Sequence, residues 1–337
     1  MSALTDLLAR FRGQRIVVLG DLVADVFVYG EISRISREAP VLILNQRETL
    51  LAPGGGANAV HNLRALGAEP LPVGLVGDDD EGRRLIEFFS DLKIDVSGIV
   101  QSKSYRTPTK TRILAGAVHG PRQQLVRLDA GGPDAGMPNG VVRASIERRL
   151  ARLLPRARAA LISDYGYGVV TPDLAARARA NGIASTIDSR FGLTRFAGMT
   201  AATPNEPEVE AALGIRIGND IDKLEWAGRT LLRKLKHEAV VITRGKDGMA
   251  LFERGKKTRR IPIYGSDEVA DVTGAGDTVI ATFTLALAAG GTFYQAARLA
   301  NYAGGIVVMK HGTRPVTYDE LLRVVEVEDE EDKENDR

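Results

Sequence analysis

Asp271-Val272-Thr273-Gly274-Ala275-Gly276-Asp277-Thr278-Val279 is the stretch on which the reading of this chain turns. It follows Ile261-Pro262-Ile263-Tyr264, a short β-prone segment, and leads into an apolar run from Ile280 to Ala289 that stops at Gly290-Gly291. The pattern is an extended segment, a tight glycine loop and then a helix whose first turn carries Asp277. Gly274 and Gly276 can take φ > 0 and let a ligand approach the main chain. The N–H groups of Gly274, Ala275 and Gly276, with those of the first turn, can form an anion-binding nest aided by the helix dipole. A carboxylate beside such a nest works against simple anion binding. It makes sense where a hydroxyl must be oriented and relieved of a proton as a phosphoryl group arrives. Taken alone, the loop also reads as an N-cap at Asp277 with turn glycines. The rest of the chain favours the chemical reading.

At 337 residues, 44% of them hydrophobic, the chain can hold one large α/β domain or two smaller ones. It has no cysteine, which excludes disulfides, thiolate metal sites and a cysteine nucleophile, and fits a reducing compartment. The N-terminal stretch spaces Leu4, Leu7, Leu8 and Phe11 as a helix does but lacks the apolar core of a signal peptide. No apolar stretch approaches the roughly 20 residues of a membrane span. A cytoplasmic protein with no membrane partner is the expectation. The net charge of +2 hides an asymmetry: residues 326–337 carry eight acids and two bases, so the rest of the chain carries +8. The acidic end, 326–337, reads as disordered. The basic excess of the body suits phosphorylated ligands. Nucleic acid is not expected, because no basic run is interleaved with aromatic residues, which make up only 5% of the chain.

Arg15 to Gly20 is a continuous apolar run ending at Asp21, which suits a buried parallel strand with a ligand site at its carboxyl end. Val26 to Gly30 and Val41 to Leu44 are β-prone around a polar turn at 33–37. Gly54-Gly55-Gly56-Ala57-Asn58 then opens a helix to Leu66, closed by Gly67. A strand at 72–77 and a helix at 83–92 follow, then a strand pair at 109–118 and 124–128 across His119-Gly120-Pro121. Beyond Val141 the alternation is regular, with strands at 159–163, 183–188, 239–243, 249–252 and 260–263 and helices at 141–154, from Glu206, 224–235, 278–289 and 293–308. Apolar strands alternating with helices predict an open, mostly parallel sheet covered on both faces, the α/β class. Asp21, Asp78, Asp164, Asp188, Asn205 and Arg244 each follow an apolar strand, so they gather on one edge of that sheet. Insertions near 22–52 and 106–129 make a small β lid over that edge.

With these motifs in view, the chain resembles the ribokinase (PfkB) family of sugar kinases. The resemblance is carried by Gly54-Gly-Gly-Ala-Asn58, Asn205-Glu-Pro-Glu208 and Asp271-Val-Thr-Gly-Ala-Gly-Asp277, in that order, within residues 14–325. It implies one ribokinase-like kinase domain over residues 1–325. Gly20-Asp-Leu-Val-Ala-Asp25, Ser33-Arg-Ile-Ser-Arg-Glu-Ala-Pro40, Thr109-Lys-Thr-Arg112, Gln124-Leu-Val-Arg-Leu-Asp129 and Ser163-Asp-Tyr-Gly166 are similar to the branch that phosphorylates D-glycero-D-manno-heptose 7-phosphate at O1, on the route to ADP- or GDP-heptose. Some members of that branch carry a fused nucleotidyltransferase domain; the expectation here is the kinase portion alone.

The resemblance implies ATP and Mg²⁺ as cofactors, with K⁺ as a further candidate. It makes Asp277 the catalytic base, with Gly274, Ala275 and Gly276 holding the transferring phosphoryl group. Asn205 and Glu208 are expected beside Mg²⁺ and its waters, Thr243, Arg244 and Gly245 along the nucleotide, and Asn301 with Gly304-Gly305 on the adenine side. For Gly304 and Gly305 helix packing explains the residues equally well. On the sugar side the expectation is Asp21, Asp25, Gly54, Gly55, Gly56 and Asn58. A terminal phosphate gives work to Lys110, Arg112 and Arg127, which otherwise read as a solvated strand face. Asp164, Asp188 and Arg190 complete the substrate side, and carbonyls around Asp271 and Thr273 are candidates for a monovalent cation. The four histidines, His61, His119, His237 and His311, have no ligand spacing.

Two departures bear on the substrate: Tyr167 stands where the heptose kinases usually have a lysine, and Asp188-Ser189-Arg190 where they have Asp-Pro-Lys. Arg190 can replace a lysine at a phosphate, but Tyr167 brings no charge. A related kinase of ribose, fructose or a nucleoside is therefore the second reading, and a non-catalytic sugar or nucleotide sensor the third. A dinucleotide oxidoreductase fails for want of a spaced G-x-G-x-x-G. Unpaired lid edges favour a homodimer through the lid.

Overall fold

The computed structural model describes residues 3–116, 123–131, 138–180, 182–265, 272–310 and 314–335. β1 (Arg15–Gly20), β4 (Glu69–Gly77), β5 (Ile99–Ser102), β8 (Ala159–Asp164), β9 (Ala184–Ser189), β10 (Ala201–Ala202), β11 (Ala239–Thr243), β12 (Met249–Glu253) and β13 (Arg259–Ile261) form a nine-stranded sheet. Its order is β13-β12-β11-β10-β9-β8-β1-β4-β5, parallel from β11 to β5 with β12 and β13 antiparallel at one end. β1 shows why the strands read as unbroken apolar runs. Ile16 and Val18 enter one core, Val17 and Leu19 the other, so both faces are covered. On the first side pack α1 (Ala3–Ala9), α2 (Gly56–Ala65), α3 (Asp80–Asp91), α8 (Ala275–Ala288), α9 (Phe293–Val308) and α10 (Tyr318–Asn335). On the second pack α4 (Gly140–Leu153), α5 (Pro172–Ala180), α6 (Glu206–Leu213) and α7 (Ile221–Leu235).

The chain leaves β1 toward β4 and β5 in one direction and returns through β8 to β11 in the other. This reversal between β1 and β8 is a topological switch, the place where a parallel sheet opens a crevice past its carboxyl ends. Four further strands, β2 (Leu22–Ile35), β3 (Leu42–Gly55), β6 (Thr109–Gly116) and β7 (Gln123–Ala130), form a separate sheet in the order β3-β2-β6-β7, the lid. The turn expected at His119-Gly120-Pro121 lies outside the described residues. β2 leaves directly from β1, and β3 returns beside it with Leu22 opposite Gly55. The glycine triplet is required there by the fold itself. A Cβ on Gly56 would lie 3.1 Å from the Asp21 carbonyl oxygen, Gly55 has φ +54°, and a Cβ on Gly54 would lie 2.5 Å from an Asp25 carboxylate oxygen. In the direction a side chain would take, the space beside Gly54–Gly56 is filled by β1, β2 and the Asp25 side chain.

α8 is buried almost all round, from Asp277 to Ala286. Its threonine hydroxyls are satisfied inside this apolar setting: Thr282 and Thr284 donate to carbonyls one turn back, and Thr284 meets Thr186 of β9 at 2.6 Å. Three features depart from expectation. β5 adds an edge strand. β13 stops at Ile261, where Pro262 has no N–H to continue a ladder. The acidic end, expected to be disordered from residue 326, instead continues α10 through Asn335. A capping box between Thr317 and Glu320 starts that helix, and Leu321 and Val325 bury one face of it. Among the described residues no helix is long and apolar enough to cross a membrane.

Gly228 on α7 tests the packing of the second layer. Alanine is the better helix former by about 1 kcal/mol, but its Cβ would lie 2.3 Å from the ring of the fully buried Phe252. Steric overlap decides the sign. Gly228→Ala is expected to lower stability by roughly 1–3 kcal/mol in a denaturant melt.

Candidate active site

Gly274 is the N-cap of α8 in the left-handed conformation (φ 79°), and no side chain caps the helix. Asp277 is therefore not the cap that the loop alone allowed. It sits in the first turn, turned inward and 2% exposed. Its Oδ2 accepts from Asn58 Nδ2 at 2.9 Å and its Oδ1 from the Tyr165 hydroxyl at 2.9 Å. Burial pushes its pKa up from 3.8 to about 7; the two hydrogen bonds and Lys110 act against the rise, and Asp25 adds to it. Each carboxylate oxygen keeps a second lone pair. The group can thus take a proton from a hydroxyl near neutral pH. Gly276 faces open space, and together with Gly274, Tyr165, Asp188, Arg190 and Glu208 it lines a cavity of about 210 Å³. Ala275, between the two glycines, donates its N–H to the Val272 carbonyl.

Four aspartates follow apolar strands; Asp78 forms an exposed pair with Arg83 at 3.5 Å, and the structure gives the other three different tasks. Asp21, expected at the sugar, is fully buried and accepts backbone N–H groups from Tyr165, Tyr167 and Val169 at 2.8–3.1 Å. Burial raises its pKa to about 6 against those three donors. It holds the loop after β8 and is corrected from a sugar contact to a residue that positions Tyr165. Asp164 is likewise spent, on the Gly166 N–H and the Ser189 hydroxyl, and ties that loop to the one carrying Arg190. Among the described residues the Asp188 carboxylate has no hydrogen bond, and it shares the cavity with Glu208 and Arg190; burial first, then Glu208 and Asp277, raise its pKa well above the usual range. It lines the cavity together with Glu208 and with Arg190, the residue expected beside it on the substrate side.

In the lid, Arg112 Nη1 is 2.6 Å from Asp25 Oδ1, an ion pair almost wholly buried. Lys110 is buried, with its ammonium 5.0 Å from the Tyr165 ring centre, and burial lowers its pKa. Arg127 lies opposite Arg112 in the register of β6 and β7, so both occupy one face, but it forms an exposed two-pronged pair with Asp129. The Asn58 amide nitrogen donates to Asp277 and to the Gly274 carbonyl, which places Asn58 beside the carboxylate.

On the other side, Asn205 and Glu208 make a reciprocal capping box at the start of α6: Glu208 N–H donates to Asn205 Oδ1 at 2.8 Å, and Asn205 N–H to Glu208 Oε2 at 2.9 Å. That leaves Glu208 Oε1 outside the box; Glu208 lines the same cavity as Asp188, and burial raises the Glu208 pKa. Two neighbouring carboxylates with raised pKa values suit a divalent cation that keeps much of its water shell. Among the described residues no group of three or more metal-binding side chains surrounds a point. Asn205, Thr243, Arg244 and Gly245 also line an adjoining cleft of about 430 Å³. Within it the Arg244 guanidinium is committed to Glu206 at 2.8 Å and to the Gly218 carbonyl, so it shapes the cleft wall. Asn301 donates to the Pro262 carbonyl, and a Cβ on Gly305 would strike the Tyr264 carbonyl, so both clamp the segment after β13. Asp271 lies outside the described residues, and Thr273 is half-buried beside Gly274.

Two side chains escaped the sequence reading. Tyr165 stands next to Asp164 in a stretch already singled out, but its partner is 112 positions away. Thr203 is buried on the cavity wall, and among the described residues its hydroxyl has no hydrogen-bond partner.

The family model described as pfkB family carbohydrate kinase matches residues 14–127 and 173–319. The bifunctional protein HldE of Paramagnetospirillum magneticum is 40% identical over 336 residues, 98% of this chain and 67% of that one. The bifunctional protein HldE of Geobacter sulfurreducens is 41% identical over 91% of this chain and 62% of its own. The chain thus spans about two thirds of the length of these curated relatives. Among solved structures, phosphofructokinase-2 from Escherichia coli in complex with potassium superposes with a TM-score of 0.73 at 19% identity, covering 92% and 97% of the two chains. Arabidopsis thaliana ribokinase complexed with ribose and ATP gives 0.70 at 21% identity, covering 93% and 98%. The fold is ribokinase-like.

A carboxyl whose pKa rises on folding from 3.8 to about 7 contributes stability that is complete below pH 3.8 and lost as pH climbs through 7. Asp277→Asn removes that loss. The variant is expected to gain on the wild type by on the order of 1–3 kcal/mol between pH 5 and pH 8, measured by urea melts at several pH values. A constant difference across this range would show that Asp277 ionises normally.

Proposed function

The chain belongs to the pfkB family of carbohydrate kinases, phosphotransferases with an alcohol acceptor, and we propose that it transfers the γ-phosphate of ATP to O1 of D-glycero-D-manno-heptose 7-phosphate, a step toward ADP- or GDP-heptose. The observation that carries the reading is Asp277, its pKa raised to about 7, hydrogen-bonded to the Tyr165 hydroxyl, with Tyr165 lining the same cavity as Gly274, Gly276 and Arg190. A sugar hydroxyl brought to the free lone pairs of Asp277 gives up its proton as its oxygen attacks the terminal phosphorus and ADP departs. The open glycine loop and Arg190 offset the charge of the phosphoryl group in flight, where fixed donors contribute most. Asp188 and Glu208 are the residues that would hold a divalent ion such as Mg²⁺, which would supply charge neutralisation to the transferring phosphate. The nucleotide takes the adjoining cleft bounded by Thr243 and Gly245. K⁺ is a further candidate, near the loop before Gly274.

Recognition of a phosphorylated acceptor falls to the lid face carrying Lys110, Arg112 and Arg127. Arg112 is held by Asp25, whereas the exposed Arg127–Asp129 pair is worth no more than about 1 kcal/mol and opens readily for a phosphate. Tyr167, half-buried near Asp21, Asp25 and Asp129, brings no charge to this corner. It is the observation that favours the second reading, an unphosphorylated ribose, fructose or nucleoside as acceptor. We further read the exposed Leu50, Val126 and Leu128 of the lid as a homodimer contact; a monomer in sedimentation equilibrium would remove it. An enzyme that consumes ATP and a sugar phosphate works in the cytoplasm.

ADP release measured across a panel of free and phosphorylated sugars tests the reading. The heptose 7-phosphate is expected to turn over fastest, and Asp277→Asn to lower kcat by roughly 10²–10⁴. Arg127→Ala is expected to raise KM for the phosphorylated sugar about tenfold, with kcat held within about twofold. Faster turnover of free ribose, fructose or a nucleoside would replace the heptose assignment.

A further inference from the structure

We propose that Asn62 is a positioning residue for phosphoryl transfer: it dictates which end of the Asn58 side chain meets Asp277, and so keeps a donor against the base. The proposal rests on the reading of Asp277 as that base. A side-chain amide has nearly the same shape at both ends, and only its neighbours decide whether nitrogen or oxygen points at a carboxylate. With nitrogen there, the pair is a charge-assisted hydrogen bond; with oxygen there, it is a repulsion.

The direction is set two residues away from the carboxylate. The Val316 N–H can only donate, and it points at Asn62 Oδ1 at 3.4 Å. The Thr278 hydroxyl donates to the same oxygen at 3.1 Å. Asn62 Nδ2 must then face the other way, and it donates to Asn58 Oδ1 at 3.1 Å and to the Asn58 carbonyl at 3.0 Å. With its oxygen engaged by Asn62, Asn58 presents Nδ2 to Asp277 at 2.9 Å, and the Gly274 carbonyl at 3.4 Å, which can only accept, adds a weaker bias in the same direction. Asn58 and Asn62 are one helical turn apart on α2, which is why the two amides stack in line. Every residue in the relay is at most 3% exposed, so water is not at hand to replace a missing donor. A backbone N–H in the segment before α10 thereby fixes the polarity at the carboxylate. Tyr165 from the loop after β8, Asp25 from β2, Lys110 from β6 and Asp188 from β9 also act on Asp277; Asp25 and Asp188 oppose its ionisation and Lys110 favours it.

The test is the pH dependence of kcat and KM with ATP and D-glycero-D-manno-heptose 7-phosphate, or the best acceptor of the sugar panel, for the wild type, Asn62→Asp and Asn62→Leu. An aspartate accepts from Val316 and Thr278 but offers Asn58 no donor, so the single amide nitrogen of Asn58 is divided between two carboxylates and Asp277 loses part of its donor. Asn62→Asp is expected to lower kcat about 10- to 100-fold and to move the acid limb of its pH profile up by about one unit, with KM within about twofold. Asn62→Leu, which removes the bias without adding charge, is expected to shift in the same direction by less. A folded variant of either kind with an unmoved acid limb overturns the proposal. Should neither variant fold, the side-chain amide signals of ¹⁵N-labelled wild-type protein decide. Those of Asn58 and Asn62 are expected to titrate together with one midpoint and to stop doing so in Asp277→Asn; an Asn62 signal indifferent to that titration overturns it. If Asp277→Asn keeps full activity, the base assignment fails instead, whereas an inactive Asp277→Asn beside unaffected Asn62 variants refutes this inference alone.

Discussion

A carboxylate buried at the start of a helix that is apolar on nearly every side is the constraint on which this structure depends. Taking the charge of Asp277 out of water is costly. It is tolerated because Asn58 and Tyr165 each give one of its oxygens a donor and Lys110 lies nearby. Those three residues come from α2, from the loop after β8 and from the lid, so the carboxylate is complete only where the main sheet reverses direction and the lid folds back. The balance leaves the group half-ionised near neutrality. A fully solvated aspartate would be too weak a base, and a buried one without donors would hold its proton too tightly.

The other buried acids serve that arrangement. Asp21 gathers three N–H groups and fixes the turn that presents the Tyr165 hydroxyl. Asp164 binds that turn to the segment of Ser189 and thereby sets the base of Arg190. Both carboxylates have traded a ligand for backbone, a trade that leaves few buried donors orphaned. Asp188 and Glu208 have not made the trade in full; they remain acids without enough partners, which is the condition of a cation site. Burial alone does not distinguish these roles, since all of these side chains lie at least half inside the protein. What distinguishes them is where their hydrogen bonds end.

The same distinction sets how much of the site is legible in the sequence. Apolar strands closed by a polar residue, the glycine loop before α8 and the lid insertions are local patterns, and the sheet follows from them. Asp21, Asp164 and Asp188 share one local signature, an acid after an apolar strand, and nothing in that signature says whether the next loop will turn its N–H groups toward them. Tyr165 and Asn62 act on partners more than 100 positions away in the chain. A signal for the second was present nonetheless: two asparagines four residues apart on the buried face of α2, where an unsatisfied amide could not persist. The acidic C-terminal stretch misled for the converse reason. A count of charges argues for disorder, but the Thr317–Glu320 cap and the buried Leu321 and Val325 start a helix that the acids then extend.

The lid shows how one residue type can carry different duties within a few ångströms. Arg112 and Arg127 face the same side of neighbouring strands, and each is paired with an aspartate. Removing Arg112 from Asp25 would strand a carboxylate that is 5% exposed and wedged against Gly54, a cost of several kcal/mol. Removing Arg127 from Asp129 costs about 1 kcal/mol or less, because water solvates both partners. An incoming phosphate can recruit the second arginine and cannot easily recruit the first. Arg112 therefore acts through Asp25, holding that acid and the mouth of the cavity in shape, and Arg127 is the lid arginine free to answer a ligand. Selectivity for a charged acceptor, in this account, resides in the weakest ion pair of the lid.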